Sequence, residues 1–299
     1  MKEKLKQFGA DLGIEYIGIC PVGPYQQLAE RLAVRIACGQ YTSFEGTDIV
    51  LRTQPQLTMA GAQSIVVCLF PYYAGDSEAA NLAKYARGAD YHSVIKEKLN
   101  RIGMYLQSEK ADFAYIAFAD NGPLVDRYLA YLAGLGFYGI NSHIINEKYG
   151  SYFFVGYLLT NYPFAADRPL DLTCVQCGAC IKACPGRIIL GDFNIDPRYC
   201  RSYLTQKKGL LTDHEIAVIK KTNLVFGCDV CQDVCPHNQG ISMTPLAEFR
   251  MNLVQRLDCG QLKSLSNKEF MRCWGDRAFS WRGKQILIRN WEYINCRAD

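Results

Sequence analysis

The sequence lacks any apolar segment long enough for a membrane helix, and its first residues lack the apolar core of a secretory signal. Its most hydrophobic stretches, residues 64–70 and 151–160, are too short to span a bilayer. The N-terminus carries Lys2, Lys4 and Lys6 and leads into an amphipathic pattern. These absences predict a cytoplasmic protein that makes no membrane contact.

Low-complexity segments are missing as well, and no internal repeat occurs apart from paired cysteine motifs. With 299 residues, 49% of them apolar and 21% charged, the chain has the composition of a two-domain globular protein. The formal charge of +4 lies in residues 241–299, which contain ten Lys or Arg and six Asp or Glu. Such a basic segment suits a nucleic-acid partner, and a solvated helical surface explains it equally well.

The fourteen cysteines are the most informative residues of the chain. A disulfide scaffold is typical of small secreted domains, whereas this chain is large and shows no secretory signal. Eight of the cysteines lie between positions 174 and 235, so metal ligation explains them better. Cys259, Cys273 and Cys296 have no ligand spacing, and we expect them to be ordinary thiols.

The eight crowded cysteines form two motifs that each end in Cys-Pro. The first is a C-x₂-C-x₂-C-x₃-C-P run, and it contains Cys174, Cys177, Cys180 and Cys184. The second has a distant upstream thiol in place of a nearby one, and it contains Cys200, Cys228, Cys231 and Cys235. In ferredoxins with two [4Fe–4S] clusters, the last cysteine of such a run binds the other cluster.

Exchange of the last cysteines gives each predicted cluster four thiolates. The first cluster is expected to bind Cys174, Cys177, Cys180 and Cys235. The second is expected to bind Cys184, Cys200, Cys228 and Cys231. A structural zinc site is the alternative, but zinc ribbons use paired knuckles and need neither eight thiols nor a proline after each terminal one.

The first half of the chain alternates between helical and strand-like patterns, which indicates an α/β domain. Helices are predicted around residues 5–12, 26–38, 91–107 and 124–135, and strands over 14–19, 64–70 and 113–118. Residues 141–146 and 151–160 are predicted to pair as a hairpin.

The pattern predicts three segments. An α/β domain occupies residues 1–165, an α+β ferredoxin-like domain with both clusters occupies 166–245, and a short helical tail occupies 246–299.

Several polar residues of the first half are candidates for a site. Residues 134–139 match G-x-G-x-x-G, but a helix precedes them and a hairpin follows, so a helix C-cap and turn is favoured over a dinucleotide site. Asp120 follows a predicted strand, where it either caps the next helix or serves a site. Arg127 lies two helical turns later and either holds an anion or is a surface charge. His92 has no second metal ligand at i+4, which favours capping or packing.

The chain resembles the epoxyqueuosine reductases, the cobalamin-dependent iron–sulfur enzymes that reduce epoxyqueuosine to queuosine in tRNA. The similarity covers nearly the whole chain. Besides the cysteine motifs, it rests on Tyr85–His92, Asp120–Arg127, Ala133–Asn141, Gly150–Phe154, Cys200–Thr205 and Trp281–Asn290.

The resemblance implies cobalamin in the α/β half, facing the nearer cluster. Asp120 matches the family's proton donor, which would need a raised pKa to be protonated near neutral pH. Arg127 and Ser202 match positions beside the cobalamin, and Lys207 and Lys208 match the approach to tRNA phosphates. The implied partners are a tRNA anticodon loop and an external one-electron donor such as ferredoxin or flavodoxin, acting on a monomer.

The chain also departs from the family pattern. Many members continue into helical repeats that grip the tRNA, and this sequence ends about where those repeats begin, so we expect a short form. Gly139-Ile140-Asn141 replaces a common Gly-Lys-Asn, and Tyr157 replaces a common Glu. Two alternative functions remain open: a related reductase of a different small molecule, and a non-catalytic electron carrier to a corrinoid protein.

Overall fold

The structure is a computed structural model that describes residues 1–295. Cys296, one of the predicted ordinary thiols, lies outside the described residues. Cys259 is buried and Cys273 is exposed.

A four-stranded sheet and its flanking helices form the N-terminal half. The helices are α1 (Lys2–Asp11), α2 (Gln26–Ala37), α3 (Ile49–Thr53), α4 (Tyr91–Glu109) and α5 (Asp126–Leu132). The strands are β1 (Ile17–Pro21), β2 (Ser64–Pro71), β3 (Tyr115–Ala119), β4 (Phe137–Tyr138), β5 (Ile144–Ile145) and β6 (Phe153–Thr160). The helices predicted over 26–38 and 91–107 and the strand predicted over 64–70 are confirmed.

The sheet has the strand order β1-β2-β6-β3, and every ladder in it is antiparallel. Helices interleaved with strands usually indicate a parallel sheet, so the mixture of helix and strand was predicted correctly but the α/β label implies the wrong strand direction. In this arrangement the end of β3 lies beside the start of β6, with Ala119 opposite Gly156.

Alternation along the central strand β2 divides the core into two layers. Val66, Cys68 and Phe70 face a cluster that includes residues of α1 and α4. Ile65, Val67 and Leu69 face the opposite cluster, which includes residues of α2 and α5. Because successive side chains of a strand point to opposite faces, a strand buried on both faces is apolar throughout, as residues 64–70 are.

The predicted hairpin between residues 141–146 and 151–160 is wrong. β5 pairs with β4, whereas β6 pairs along its whole length with β2 and through Gly156–Thr160 with β3. Only a single bridge, between Asn146 and Gly150, joins the two segments locally. The long apolar segment therefore occupies the centre of the sheet, where both of its faces are covered.

Short helices and turns make up the remaining part of the structure. The helices are α6 (Ala179–Ala183), α7 (Arg201–Leu204), α8 (Asp213–Ile219), α9 (Val230–Asp233), α10 (Cys259–Ser264), α11 (Asn267–Trp274) and α12 (Lys284–Asn295). The strands β7 (Ile189–Gly191) and β8 (Asn194–Ile195) form a small antiparallel pair. Capping boxes at Thr212/Glu215 and Ser266/Glu269 begin α8 and α11.

Packing connects the three predicted segments. Leu246 and Phe249 of the predicted tail are buried in the core beneath α4. Leu82 and Ala86 of the N-terminal half are buried with Phe226 and residues of α10, α11 and α12. The predicted segment boundaries are therefore crossed by continuous apolar cores. Within residues 1–295, no helix is both long enough and apolar enough to cross a membrane.

Candidate active site

The first thiol set consists of Cys174, Cys177, Cys180 and Cys235, and the fold brings them around one small cavity. Burial and then the charges of Cys235 and Cys174 raise the pKa of Cys180, which shows how close the thiols lie. Cys177 is exposed while its three companions are buried, so this set lies at the surface of the module.

The second thiol set consists of Cys184, Cys200, Cys228 and Cys231. Burial, followed by the charges of Cys200, Cys228 and Cys184, raises the pKa of Cys231. The two sets thus contain the two groups of four that the exchanged pairing predicts. No three His, Cys, Asp or Glu side chains in the described part of the chain are placed to hold a single metal ion.

The second set touches the N-terminal half through the segment between β4 and β5. His143 Nε2 lies 3.8 Å from Cys231 Sγ, and Asn141 Nδ2 donates to the Cys231 carbonyl at 3.2 Å. Asn141 Oδ1 also accepts from the backbone N–H of His143 at 3.2 Å, which holds the Asn141 side chain in place. These contacts join the cysteine module to the wall of a neighbouring cleft.

Arg201 is a buried cation beside the second set. Its guanidinium donates to the backbone carbonyls of Ile219, Thr222, Leu224 and Gly227, at distances from 2.6 to 3.1 Å. Burial lowers its pKa to about 10, and the neighbouring Cys228 and Cys200 oppose that shift. The side chain therefore remains charged at neutral pH and ties down the segment that leads into Cys228.

A cleft of about 1120 Å³ opens between the sheet, α2, α3 and α5. Asp120, Arg127 and His143 line it, so the cleft reaches from the end of β3 to the contact with Cys231. Four cations line its walls: Arg31, Arg35, Arg52 and Arg127. Aromatic side chains make up much of the rest: Phe44, Tyr91, Tyr128, Tyr131, Tyr138, Phe153, Phe154 and Phe193.

Asp120 directly follows the last residue of β3, in a turn with an unusual backbone conformation. Asp120 and Asn121 have φ angles of 52° and 41°, a left-handed conformation that few residues other than glycine adopt. The Asp120 carboxylate accepts from the Tyr91 hydroxyl at 2.7 Å and lies 3.4 Å from His92 Nε2. His92 Nδ1 in turn lies 2.8 Å from Asp90, the residue that caps α4.

This network keeps a proton on His92 and not on Asp120. Burial disfavours charge on His92, but its bonds to Asp120 and Asp90 prevail and raise its pKa to about 9. Burial likewise raises the pKa of Asp120, but bonds from His92, Tyr91 and the Asn121 backbone prevail and lower it. The neighbours of Asp120 therefore stabilise its carboxylate, and this arrangement does not provide the raised pKa that a proton donor would need.

A second acid in the cleft, Asp126, was not predicted from the sequence. Burial and then the charge of Asp120 raise its pKa to about 7, while Arg127 and Arg52 oppose the shift. It is the first residue of α5 and lies in the lining of the cleft. Its position directly before Arg127 was the available sign in the sequence that Asp126 belongs to the site. No sequence pattern shows that its carboxyl group is desolvated.

The remaining predicted residues lie at different distances from this cleft. Arg127 lines it and donates to the Ser142 carbonyl at 2.7 Å. Ser202 lies on α7 outside the lining, and its carbonyl accepts from the Gln206 side chain at 2.9 Å. Lys207 forms an ion pair with Glu215 at 2.5 Å, whereas Lys208 is exposed.

Two departures from the expected family pattern occupy structural positions around the site. Tyr157 is buried in the sheet, and its hydroxyl accepts from the Leu124 backbone at 3.4 Å beneath the turn that carries Asp120. Gly122 approaches this hydroxyl so closely that a Cβ there would lie 2.5 Å from it. Ile140 packs against Cys174, Cys180 and Cys184.

Comparisons with known proteins match both halves of this site. The profile described as "4Fe-4S double cluster binding domain" matches residues 173–238, which contain both thiol sets. The profile described as "Epoxyqueuosine reductase QueG, DUF1730" matches residues 52–121, which contain Tyr91, His92 and Asp120.

Relatives and solved structures match over almost the full chain. The epoxyqueuosine reductase of Lactococcus garvieae is 35% identical, over 98% of this chain and 86% of its own length. A Bacillus subtilis epoxyqueuosine reductase structure, described with its catalytic aspartate loop swung out of the active site, superposes with a TM-score of 0.89 and 31% identity. The structure of an epoxyqueuosine reductase with an epoxyqueuosine-modified tRNA stem loop superposes with a TM-score of 0.88 and 32% sequence identity. Each structural match covers 98% of this chain and 80% of the other.

These matches define the protein as an oxidoreductase that contains a double-cluster iron–sulfur domain. At this level of identity and coverage, the chain belongs to the epoxyqueuosine reductase family.

Proposed function

We propose that this chain reduces epoxyqueuosine to queuosine in tRNA, using two [4Fe–4S] clusters and cobalamin. The observation that carries the proposal is one cleft that joins the Tyr91–His92–Asp120 network to the second thiol set through His143. Removal of an epoxide oxygen consumes two electrons and two protons and leaves an alkene and water. The reaction needs an electron source and an acid beside the same substrate, and both border this cleft.

The thiol sets suit two cubane clusters. Cys174, Cys177, Cys180 and Cys235 would hold the first cluster, and Cys184, Cys200, Cys228 and Cys231 the second. The support is the division of the eight thiols into two neighbouring groups of four, one of which encloses a cavity. Each group combines thiols from both motifs, as the exchanged pairing requires.

The cleft suits a large organic cofactor such as cobalamin. Its volume of about 1120 Å³ exceeds the roughly 300–1000 Å³ typical of sites for drug-sized ligands. Cobalamin held there would supply a strongly reducing cobalt centre to the epoxide. Arg127 and the aromatic walls would hold it, and His143 would separate it from Cys231. Ser202 would lie near its edge only if the cofactor reached beyond the lining.

The acid in the reaction is built from Asp120 and its neighbours. The departing oxygen gains negative charge, so a proton delivered to it lowers the barrier. His92 holds that proton at neutral pH, and the Asp120 carboxylate lies 3.4 Å from its ring. The Asp120 carboxylate would take the proton from His92 and pass it to the oxygen, while Tyr91 holds the carboxylate in place.

The charge of the cleft suits a nucleic acid. Arg31, Arg52 and Arg127 line it beside Arg35, which pairs with Glu45 at 3.3 Å, and arginines attract phosphates. Asp48, Asp120 and Asp126 also line the cleft, so the arginines offer individual phosphate contacts and not a uniformly positive wall. The tRNA anticodon loop is therefore the proposed partner, with Lys208 as an exposed phosphate contact. An external one-electron donor such as ferredoxin or flavodoxin, a monomeric state and a cytoplasmic location complete the proposal. We also propose that the chain is divided into the segments 1–165, 166–245 and 246–299.

The direct test is anaerobic reconstitution followed by turnover on an epoxyqueuosine-containing tRNA stem loop. We expect about eight irons per chain, a base-off Co(II) signal in the EPR spectrum after addition of cobalamin, and conversion to queuosine. Asp120→Asn is expected to keep the irons and the cobalt signal but to slow turnover about 10²- to 10⁴-fold. Asp112→Asn, at an exposed carboxylate away from the cleft, is the matched control.

Other outcomes distinguish the alternatives. Full iron content without bound cobalamin would contradict the mechanism and favour an electron carrier. Bound cobalamin with no conversion of the stem loop, but with reduction of a free epoxide, would favour a related reductase of small molecules.

A further inference from the structure

Three distant segments form an aromatic and guanidinium cluster at the rim of the cleft. The Phe44 ring makes edge contacts with Tyr203 at 4.9 Å and with Trp281 at 5.4 Å between ring centroids. The Arg282 guanidinium lies 3.7 Å from the Trp281 ring centroid and 5.0 Å from that of Phe44. We call Phe44, Tyr203, Trp281 and Arg282 the rim platform.

Trp281 is fixed in position yet left open to solvent. Its indole N–H donates to Gln206 Oε1 at 3.0 Å, which holds the polar edge of the ring. The side chain is nevertheless 53% exposed, although tryptophan is the residue with the most apolar area to bury. An indole that is fixed in position and exposed to solvent can stack against a flat ligand without first losing side-chain freedom.

Arg282 is the second observation that points to a ligand. Its Nε is buried without an acceptor, and nowhere in residues 1–295 does a carboxylate pair with its guanidinium. The buried Nε cannot be reached from solvent, but the residue as a whole is only partly buried. The unpaired charge of the guanidinium can therefore be met by a phosphate oxygen or by an acceptor atom on a base.

The platform also borders the proposed reaction site. Phe44 belongs to it and to the lining of the cleft that contains Asp120. A nucleoside inserted into the cleft would therefore leave its neighbours in the strand beside Phe44 and Trp281. Unpaired RNA bases are recognised by stacking on aromatic rings and on arginine guanidinium planes, and the platform presents both.

We propose that the rim platform stacks an unpaired base of the RNA loop adjacent to the nucleoside that enters the cleft. This inference rests on the proposed tRNA substrate and adds the contact that orients the loop. An acidic electron-donor protein is the competing partner, but charge attraction alone would not use the exposed indole face.

The test measures binding of a fluorescent anticodon stem loop to the reconstituted protein by anisotropy. Trp281→Ala is expected to weaken binding about 5- to 150-fold, whereas Trp281→Phe keeps most of the affinity because it keeps a ring. The salt dependence of Trp281→Ala should match that of the wild type, since stacking releases no counterions. Met104→Ala, at an exposed apolar side chain on α4, is the control and should not change binding.

A stem loop that lacks one base tests whether Trp281 contacts that particular base. Removal of the base on one side of the modified nucleoside should weaken binding to the wild type but have little further effect on Trp281→Ala. Equal affinities of the wild type and Trp281→Ala, both with unchanged thermal unfolding, would overturn the inference. A wild type that neither binds nor reduces the loop would instead refute the proposed function. A Trp281→Ala defect confined to protein-driven electron transfer would identify the platform as a donor site and also overturn the inference.

Discussion

The cysteine module and the cleft differ in what they can deliver to a reaction. The module gathers eight thiols in largely apolar surroundings, and its second set lies against a buried cation. The cleft gathers the Tyr91–His92–Asp120 network, Asp126 and four arginines. Electrons and protons would therefore reach the substrate from different halves of the molecule, which meet at the His143–Cys231 contact.

Because of this separation, substitutions in one half should leave the function of the other half unchanged. Changes in the thiols should alter iron content without moving the acid network. Changes in the acid network should alter proton delivery without loss of iron. The following variants test that independence, in order of decreasing expected effect.

Cys231→Ser should abolish electron delivery to the substrate. Loss of one thiolate of the second set is expected to lower iron content from about eight to about four per chain and to abolish turnover. Cys177→Ser removes the exposed thiol of the first set and should also leave about four irons. Since the second set remains beside the cleft, this variant should keep some turnover with a small chemical reductant.

Iron analysis and turnover with both protein and chemical reductants measure this difference. Cys273→Ser, at an exposed thiol outside both sets, should change neither. Equal loss of chemically driven turnover in Cys231→Ser and Cys177→Ser would contradict the proposed order of the two sets.

His92→Gln should alter the pH dependence of the proton half. With its pKa raised from 6.5 to about 9, His92 stabilises the folded protein fully below pH 6.5, and that contribution is lost as the pH rises through about 9. Wild-type turnover should fall tenfold per unit above about pH 9. The variant should lose that limb and turn over on the order of 10²-fold more slowly.

The pH–rate profile is the measurement, with iron content as a check. A limb near pH 7 that persists in His92→Gln and disappears in Asp126→Asn belongs to Asp126. An unchanged limb near pH 9 in His92→Gln would show that His92 does not hold the proton.

Gly122→Ala should have a smaller effect, because it displaces the acid without removing it. The new Cβ would lie 2.5 Å from the Tyr157 hydroxyl, so the turn with Asp120 must shift. We expect destabilisation by about 1–3 kcal/mol and up to about 10²-fold slower turnover. Thermal unfolding and kcat measure both effects. Tyr157→Phe added to Gly122→Ala removes the clashing hydroxyl and should restore part of each, and no restoration would place the strain elsewhere.

Local patterns in the sequence predicted those parts of the molecule that local forces decide. The apolar run over residues 64–70 became β2, because a strand covered on both faces must be apolar on both. The spacing of the cysteines predicted two groups of four thiols, and the fold brings the same groups together. Their role as cluster ligands remains a prediction.

Long-range contacts explain what the sequence could not predict. The hairpin prediction failed because β6 pairs with β2 and β3, strands more than thirty residues earlier in the chain. His92 was expected only to cap or pack, and Asp120 was expected to need a raised pKa in order to donate a proton. Both expectations missed one contact between the start of α4 and the end of β3, which no periodicity shows.

Arg201 places a positive charge beside the second thiol set. A positive charge held in an apolar interior favours any added electron nearby, so a cluster bound by Cys200 and Cys228 would have its reduction potential raised. The first set has an exposed thiol, Cys177, and would be the entry point for electrons. Arg201 would thus offset part of the cost of placing an added electron in the buried second set, through a single guanidinium that contacts backbone carbonyls.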